Sequence, residues 1–451
     1  MSNPFQRGDG VEIAERLLWT IDDNRANLVS DEGDIYHYEN GVWLKAPVTQ
    51  LKTLMYAFAG SYVVETPNRR LRINDDTVKG ALNIARAMIE EEGAFSEAPV
   101  GLTFKNGFLE VSSTGARLVR HSREQKQRVG YAFNWREGAR SEAFESFIFS
   151  FFKNDADATE KVAFIQELFG ASLIGLATKF QKCAVFLGDG ENGKDTLLDV
   201  LQTVFPEDTV CAIGPHDWGR EYYRAALVGQ KLNVIGELPK KDLDEGESFK
   251  AVVTGTKISG RETYGHLFFF RPVAGHIFAA NNAMGSSDFS HGFYRRFGVV
   301  TFNRVFVGEE KDINIATKMA LEKEAIVQWM VEGAIRLMKN GAYTLPASHS
   351  QELQAWKLQS DNVAAFCEEL APDGETRATA LYNAYRTWAE QNGHKACSST
   401  KFGVRLKKLL KERGWGEVRR DALGAVYPVK PLRLLSSGPT PKIPNPFPSL
   451  S

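Results

Sequence analysis

The stretch "QKCAVFLGDGENGKDTLLDVL", residues 181–201, restricts the fold of this chain more than any other part of the sequence. An apolar run is followed by a glycine-rich turn, and the turn leads into a segment whose apolar residues recur at helical spacing. Glycines let a backbone wrap closely, and the first N–H groups of a helix favour an anion. This order predicts a phosphate-binding loop in an α/β domain.

Residues 188–193, called the glycine loop below, precede a lysine that would reach the β- and γ-phosphates of a nucleoside triphosphate. The position after that lysine normally supplies a hydroxyl to Mg²⁺, but here it holds Asp195, with Thr196 next. Either residue could be the metal ligand, since a carboxylate also binds Mg²⁺. The predicted nucleotide-binding residues are Gly188, Gly190, Asn192, Gly193, Lys194, Asp195 and Thr196.

Two further apolar runs end in polar residues suited to phosphoryl chemistry. "QKLNVIGELPK" ends in Glu237, which we expect to hold the metal or polarise the attacking water. "GHIFAANNAMG" ends in Asn281 and Asn282, whose amides could orient water near the γ-phosphate. "SHGFYRRFGVVTF" carries Arg295 and Arg296 directly before a third apolar run.

The segment "GDGENGK" resembles the GxGxNGK loop of superfamily-3 helicases of the phage, plasmid and poxvirus primase-helicase type. "QELFGASLIGLATKFQKCAVFLGDGENGK" is similar to the lead-in helices and loop of that family, and "VGLTFKNGFLEV" resembles its preceding domain. The resemblance covers most of the chain. It implies a P-loop, AAA+-like ATPase core that uses ATP and Mg²⁺.

The family pattern also implies roles for single residues. Asn281 becomes the sensor of the γ-phosphate, and Asn282 begins the following loop. An arginine inserted into a neighbouring subunit's site stabilises the transferring phosphoryl group, and the pattern favours Arg296 over Arg295. An arginine used in this way implies self-association into a ring, which we expect to be a hexamer.

Nucleic-acid contacts are expected in two places. In the family, a hairpin before the sensor strand projects into the ring channel, and Lys257, Arg261, Tyr264 and His266 lie at the corresponding positions. Cations can follow phosphates while an aromatic ring stacks on a base. Near the carboxyl end, "SSTKFGVRLKKLLKERGW" predicts a helix with one basic face, capped by Ser398 or Ser399. With its neighbours it is typical of a winged helix that binds DNA through Lys401, Arg405 and Lys408.

The predicted organisation has four parts. Residues 1–150 form an α+β domain, with hairpins at Asn40-Gly41 and Asn106-Gly107, and residues 151–350 form the ATPase domain. A helix pair broken near Gly170 precedes the glycine loop, and an Asp cap begins the helix at "DDTVKGALNIARAMI". Residues 351–434 form the winged helix, and residues 435–451 are a Pro/Ser-rich tail expected to be disordered.

Composition excludes some classes of protein. The net charge of −1 means that a DNA surface requires local clustering of cations. Four cysteines without CxxC spacing argue against a zinc site and fit a reducing cytoplasm. Apolar runs are too short to span a membrane, and no acid pair typical of a primase precedes the glycine loop. A primase or polymerase would then be a separate partner.

These observations favour a ring-forming, ATP-dependent DNA helicase for phage, prophage or plasmid replication. An origin-binding or loading ATPase with little unwinding activity is the alternative, because Asp195 and the single acid Glu237 depart from the usual pattern. A small-molecule kinase with a similar glycine loop is a third hypothesis. A small-molecule kinase would not require the basic helix or the channel hairpin.

Overall fold

The computed structural model describes residues 4–66, 70–238, 246–263, 265–281, 290–308, 312, 314–394 and 396–432. Tyr264, Asn282 and the predicted tail lie outside these ranges. The helices are α1 (Gly10–Ile21), α2 (Val48–Tyr56), α3 (Asp75–Met88), α4 (Glu142–Ser150), α5 (Ala158–Leu173), α6 (Lys194–Gln202), α7 (Glu221–Ala225), α8 (Gly246–Val253), α9 (His291–Tyr294), α10 (Ile315–Met319), α11 (Lys323–Asn340), α12 (His349–Ser360), α13 (Asn362–Cys367), α14 (Ala378–Gln391) and α15 (Ser399–Glu412).

The strands form several separate sheets. They are β1 (Leu28–Asp31), β2 (Asp34–Glu39), β3 (Val42–Lys45), β4 (Gly101–Phe104), β5 (Gly107–Ser112), β6 (Gly115–Val119), β7 (Gly130–Tyr131), β8 (Cys183–Leu187), β9 (Val210–Cys211), β10 (Leu232–Ile235), β11 (Ile258–Arg261), β12 (Leu267–Phe270), β13 (Gly275–Ala280), β14 (Phe297–Thr301), β15 (Leu370–Arg377), β16 (Arg419–Asp421) and β17 (Gly424–Pro431).

The amino-terminal part packs α1, α2 and α3 with the antiparallel sheet β1-β2-β3 around a core of its own. Both predicted hairpins form, β2 with β3 and β4 with β5. Asn40 and Gly41 adopt positive φ angles of 50° and 91°, as a tight hairpin turn requires. The cap of α3 is Asn74 rather than an aspartate, because the Asn74 side chain accepts from the Thr77 N–H.

A second antiparallel sheet, in the order β6-β5-β4-β7 with β7 parallel to β4, follows along the chain. Its buried residues, such as Phe104 and Tyr131, belong to the same hydrophobic core as α5, α6 and α11. The core is therefore continuous across the predicted domain limit at residue 150. That limit stays a prediction.

The central sheet is entirely parallel and has the order β14-β8-β13-β10-β9. Residues of β8 alternate between two cores: Ala184 and Phe186 face α5 and α6, while Cys183, Val185 and Leu187 face the opposite layer. Both faces of the sheet are thus covered, as a parallel sheet requires. All its carboxyl ends meet at one edge, beside the glycine loop.

The helix pair predicted around Gly170 is wrong, because α5 runs unbroken through this residue. The glycine is needed for packing: a Cβ at Gly170 would lie 2.1 Å from the Met330 carbonyl of α11. On the facing helix α11, a Cβ at Gly333 would likewise lie 2.4 Å from the Gln166 carbonyl of α5. The two glycines bring the backbones of α5 and α11 into close contact.

The carboxyl-terminal part has its own core and the element order α13, β15, α14, α15, β16, β17. The three strands form an antiparallel sheet in the order β15-β17-β16. Ser398 caps α15, and the last two strands, β16 and β17, form a hairpin that turns near Gly424. In the described part of the chain, no helix is both long and apolar enough to cross a membrane.

Candidate nucleotide-binding site

A cavity of about 950 Å³ opens at the carboxyl edge of the central sheet. It contains most of the glycine loop and the start of α6, together with Glu237 after β10 and Asn281 after β13. Two backbone bonds bring these segments together: Gly188 N–H donates to Ala280 O, and Leu238 N–H donates to Ala279 O. The structure therefore gathers residues that the sequence separates by almost ninety positions.

The glycine loop needs glycine at two of its positions. Gly193 has a φ of +74°, and a Cβ there would lie 2.7 Å from Phe151 Cε1. At Gly188 a Cβ would lie 2.5 Å from the Phe302 carbonyl oxygen. Gly190 has open space around it, because a Cβ there would meet nothing within 4 Å. Glycine at position 190 therefore leaves room in the cavity and is not required by the backbone conformation.

Lys194 is the first residue of α6 and is 6% exposed. Its ammonium group donates to Gly188 O at 2.5 Å, to Asn192 Oδ1 at 3.0 Å and to Asp189 O at 3.2 Å. Burial lowers the pKa of Lys194, and the nearby carboxylates of Asp195 and Asp189 oppose that shift. A cation held at the loop by weak carbonyl partners is well placed to exchange them for phosphate oxygens.

The predicted metal ligands Asp195, Thr196 and Glu237 all line this cavity. Asp195 faces the end of β10, since a Cβ at Gly236 would lie 3.7 Å from Asp195 Oδ1. Among the described residues, no group of three His, Cys, Asp or Glu side chains forms a metal site. Two carboxylates beside a phosphate site nevertheless fit Mg²⁺, which takes one or two protein carboxylates and completes its shell with phosphates and water.

One lobe of the cavity is apolar and was missed by the sequence analysis. Phe147 and Phe151 from the α4 region, Phe306 from the segment after β14, and Ile315 of α10 line it. Phe306 N–H donates to Glu191 O, and the Arg304 guanidinium lies 4.6 Å from the Phe306 ring centroid. These residues are scattered over the chain and share no motif. An apolar surface beside the glycine loop is suited to a nucleobase.

Arg295 and Arg296 lie at the amino end of β14, about 16 Å along the strand from the edge that carries the cavity. Arg296 is only 8% exposed and donates to Gly292 O within its own subunit. Arg295 is exposed, and its guanidinium donates to Gln181 Oε1 at 3.3 Å. Of the two, Arg295 is therefore the one whose side chain a neighbouring molecule can reach.

The predicted channel hairpin exists as β11 and β12, paired antiparallel. Lys257, Arg261 and His266 are exposed on it. Phe269, which the sequence analysis overlooked, is 55% exposed, and Lys257 Nζ lies 5.7 Å from its ring centroid. An exposed aromatic ring beside cations provides the chemistry that the prediction had given to Tyr264.

On α15, Lys401 and Lys408 are exposed, whereas Arg405 is only partly exposed. The DNA-binding roles of all three stay predictions. Arg405 Nε donates to Asp361 Oδ2 at 2.6 Å, and the two side chains are 16% and 3% exposed. A cation in a nearly buried ion pair cannot leave it for a DNA phosphate without exposing an unpaired carboxylate to a low dielectric. Arg405 connects α15 to the start of α13.

Two family models match parts of this chain. Residues 358–427, which contain α13 to β16 and the start of β17, match the model described as Poxvirus D5 protein-like. Residues 186–296, which contain the glycine loop, Glu237 and both arginines, match a family of unknown function, DUF5906. The resemblance to the phage and poxvirus primase-helicases is confirmed.

Solved structures of the NrS-1 C-terminal region are also similar to this chain. The A-form apo structure is 11% identical, covers 93% of this chain and 98% of its own, and has a TM-score of 0.49. A second apo structure, of residues 305–718 of NrS-1, is 12% identical, covers 93% and 99%, and has a TM-score of 0.47. At these values the likeness carries no argument about activity.

Proposed function

We propose that this protein is a ring-forming, ATP-dependent DNA helicase that serves the replication of a phage, prophage or plasmid. The observation that carries the proposal is the cavity at the carboxyl edge of the parallel sheet. It unites a glycine loop, a buried lysine, two carboxylates and a terminal asparagine. Phosphoryl transfer needs such groups: a loop that binds the phosphates, a positive charge beside them, ligands for the metal ion and a polar group that orients the water.

In this proposal the cavity residues bind the nucleotide, hold the metal and activate the attacking water, and Glu237 takes part in the last two tasks. Lys194 exchanges its loop carbonyls for the β- and γ-phosphates, and the base lies in the apolar lobe against Phe151 and Phe306. When bound, Mg²⁺ neutralises developing phosphate charge, and Asp195, Thr196 and Glu237 are the residues that would hold it. Asn281 orients the attacking water, and Glu237 accepts a proton from it.

Assembly into a ring completes the site. Arg295 and Arg296 are too far from their own cavity to act there, so an arginine from this segment serves the neighbouring subunit. Arg295 takes the role that the resemblance first gave to Arg296, because Arg296 is engaged inside its own subunit. The ring is expected to be a hexamer, and the AAA+-like core is expected to hydrolyse the ATP that drives translocation.

DNA contacts two surfaces in this proposal. The hairpin β11–β12 contacts one strand of the DNA. Its Lys257, Arg261 and His266 side chains interact with phosphates, and the Phe269 ring beside them stacks on a base. The carboxyl-terminal part acts as a winged helix, with α15 against DNA and the β16–β17 hairpin as its wing. The domain limits at residues 150, 350 and 434 belong to the same proposal, as does a separate primase or polymerase partner.

A strand-displacement assay with a forked duplex and ATP tests the proposal. The wild-type protein is expected to separate the strands, and Lys194→Ala is expected to abolish both ATP hydrolysis and displacement. Lys179→Ala, which removes a lysine near β8 that lies outside the cavity, is the matched control. Equal displacement by Lys194→Ala and wild type would refute the role of the cavity.

An origin-binding or loading ATPase is the second candidate function. It is favoured by one observation: Asp195 replaces the usual hydroxyl residue, while Gly236 leaves Glu237 as the single acid after β10. Such a site would hydrolyse ATP slowly and use its binding energy for assembly. Nucleotide-dependent binding to duplex DNA without strand displacement would establish this function instead of the first.

A further inference from the structure

A second cleft, of about 450 Å³, lies between the carboxyl-terminal half of α15 and the segment that leads into β16. We call it the lysine cleft. It is lined by Lys407, Lys411, Gly414, Gly416, Glu417 and Val418. Lys411 belongs to the basic face of α15 that the sequence predicts, together with Lys401, Arg405 and Lys408, whereas Lys407 was not assigned to DNA. The cleft therefore borders that basic face.

The two lysines lie four residues apart, so that they share one side of α15. Both are exposed, and among the described residues no carboxylate oxygen lies within 4 Å of either ammonium group. Several other cations of this part of the chain are paired. The pairs are Arg405 with Asp361, Arg413 with Glu368, Lys408 with Glu412, Arg377 with Asp421 and Arg419 with Glu375.

The wall opposite the lysines is a glycine-rich turn. Gly414 and Gly416 have φ angles of +68° and +94°, and a Cβ at Gly414 would meet nothing within 4 Å. An anion can therefore approach this backbone closely. Of the described residues, Glu417 is the one acid that lines the cleft, and it opposes the binding of any anion there.

We propose that the lysine cleft binds a backbone phosphate of duplex DNA, with Lys407 and Lys411 as its cationic ligands. The inference rests on the proposed DNA-binding role of α15 and deepens it. An α-helix fits the major groove of a duplex, and phosphates at the groove edge then pass the side of the helix. The cleft lies on that side, next to the exposed basic residues of α15. Glu417 weakens the contact and so limits non-specific affinity.

The test measures the affinity of the full-length protein for a duplex oligonucleotide across a salt series, without nucleotide. Removing a cation from one DNA phosphate lowers the slope of log K against log salt by about 0.9. The double variant Lys407→Ala with Lys411→Ala removes the contact to that one phosphate and is therefore expected to lower the slope by about 0.9. The control removes the same charge elsewhere, through Lys79→Ala with Lys339→Ala, and should leave the slope unchanged.

Glu417→Gln provides a test that a folding defect cannot imitate, because it predicts a gain. Removing the carboxylate should tighten duplex binding about twofold to fivefold, the range expected for one exposed charge interaction. Unchanged or weaker binding by this variant would overturn the proposal. So would inorganic phosphate that protects the two lysines from chemical modification when duplex DNA does not, or an RNA duplex that binds more tightly than the DNA duplex.

These outcomes are separable from those of the helicase proposal. If ATP-driven strand displacement persists while both cleft variants bind duplex like wild type, the cleft assignment is wrong and the helicase proposal stands. If the protein never hydrolyses ATP but the cleft variants shift duplex affinity as stated, the cleft assignment stands and the helicase proposal is wrong.

Discussion

At the scale of single residues, Gly193 and Gly190 of the glycine loop are expected to respond to alanine in opposite ways. Gly193→Ala forces a side chain into a left-handed backbone against Phe151, which should cost about 1–3 kcal/mol and weaken nucleotide binding at least tenfold. Gly190→Ala meets open space and should leave the free energy of unfolding unchanged. Titration with a fluorescent ATP analogue and thermal unfolding measure both effects. Equal behaviour of the two variants would contradict the loop geometry.

The role of Asp195 as a Mg²⁺ ligand can be tested directly by substitution. If its carboxylate holds Mg²⁺, Asp195→Ala should raise the Mg²⁺ concentration needed for half-maximal ATP hydrolysis by about tenfold, the effect of removing one ligand. Asp195→Ser restores a hydroxyl and should preserve hydrolysis. A magnesium titration of ATPase activity compares the variants. An alanine variant with the wild-type magnesium requirement would assign the ligand to Thr196 or Glu237.

Sequence reasoning succeeded at residues that lie next to one another in the chain. The glycine loop, Lys194 and the polar residues at strand ends follow from local order, because parallel strands bring their carboxyl ends to one edge. The role of Arg405 could not be predicted, since its partner Asp361 lies 44 positions away. The apolar lobe was missed for the same reason, because Phe151 and Phe306 are in contact but far apart in the sequence.

At the scale of elements, the ion pair between Arg405 and Asp361 joins α15 to α13. Arg405→Ala leaves a nearly buried carboxylate without its cation, which should destabilise the carboxyl-terminal part by about 3 kcal/mol. Faster hydrogen exchange confined to α13–α15 would measure this destabilisation. Lys401→Ala, on the exposed face of the same helix, should leave exchange unchanged. If both variants exchange alike, Arg405 is not structural.

His349 makes the stability of α12 and β14 depend on pH. Its Nδ1 accepts from Val299 N–H of the edge strand β14 at 3.1 Å. Burial lowers the pKa of His349 to about 4, with Lys182 and Lys357 adding to the effect. Since the ordinary pKa is about 6.5, the unfolded chain gains a proton first as pH falls. The stabilisation is complete above pH about 6.5 and is lost toward pH about 4.

The measurement is the midpoint of thermal unfolding across this pH range for wild type and His349→Asn. The asparagine amide oxygen can accept the same N–H without titrating, so the variant should lose less stability on acidification. Part of the acid sensitivity should remain, because burial also lowers the pKa of His276 to about 3. Identical pH profiles would show that His349 does not contribute.

The secondary structure was predictable where the spacing of apolar residues and the turn or cap residues indicate the same element. The hairpins at Asn40-Gly41 and Gly424 and the capped helix α15 follow from such local signals. Gly170 was taken as a helix break, because its partner surface on α11 is distant in sequence. Strand β15 was not predicted, because residues 373–377 were assigned to the helix that begins at Ala378 in the structure. The strand is irregular between Pro372 and Thr376.

At the scale of the whole molecule, the proposed ring connects three regions. In that ring, Arg295 at the opposite end of β14 reaches the cavity of the neighbouring subunit, and the hairpin β11–β12 contacts DNA. Sequence and a single chain cannot place that neighbour, because its contacts arise between molecules. The ring is therefore the central claim.

Electron cryo-microscopy of the protein with a non-hydrolysable ATP analogue and forked DNA tests this claim most directly. We expect a closed ring in which the analogue contacts Lys194 of one subunit and an arginine of the 295–296 segment of the next, with one DNA strand against the β11–β12 hairpin. A monomer, or a ring whose nucleotide lies outside the cavity that contains Lys194, would contradict the account.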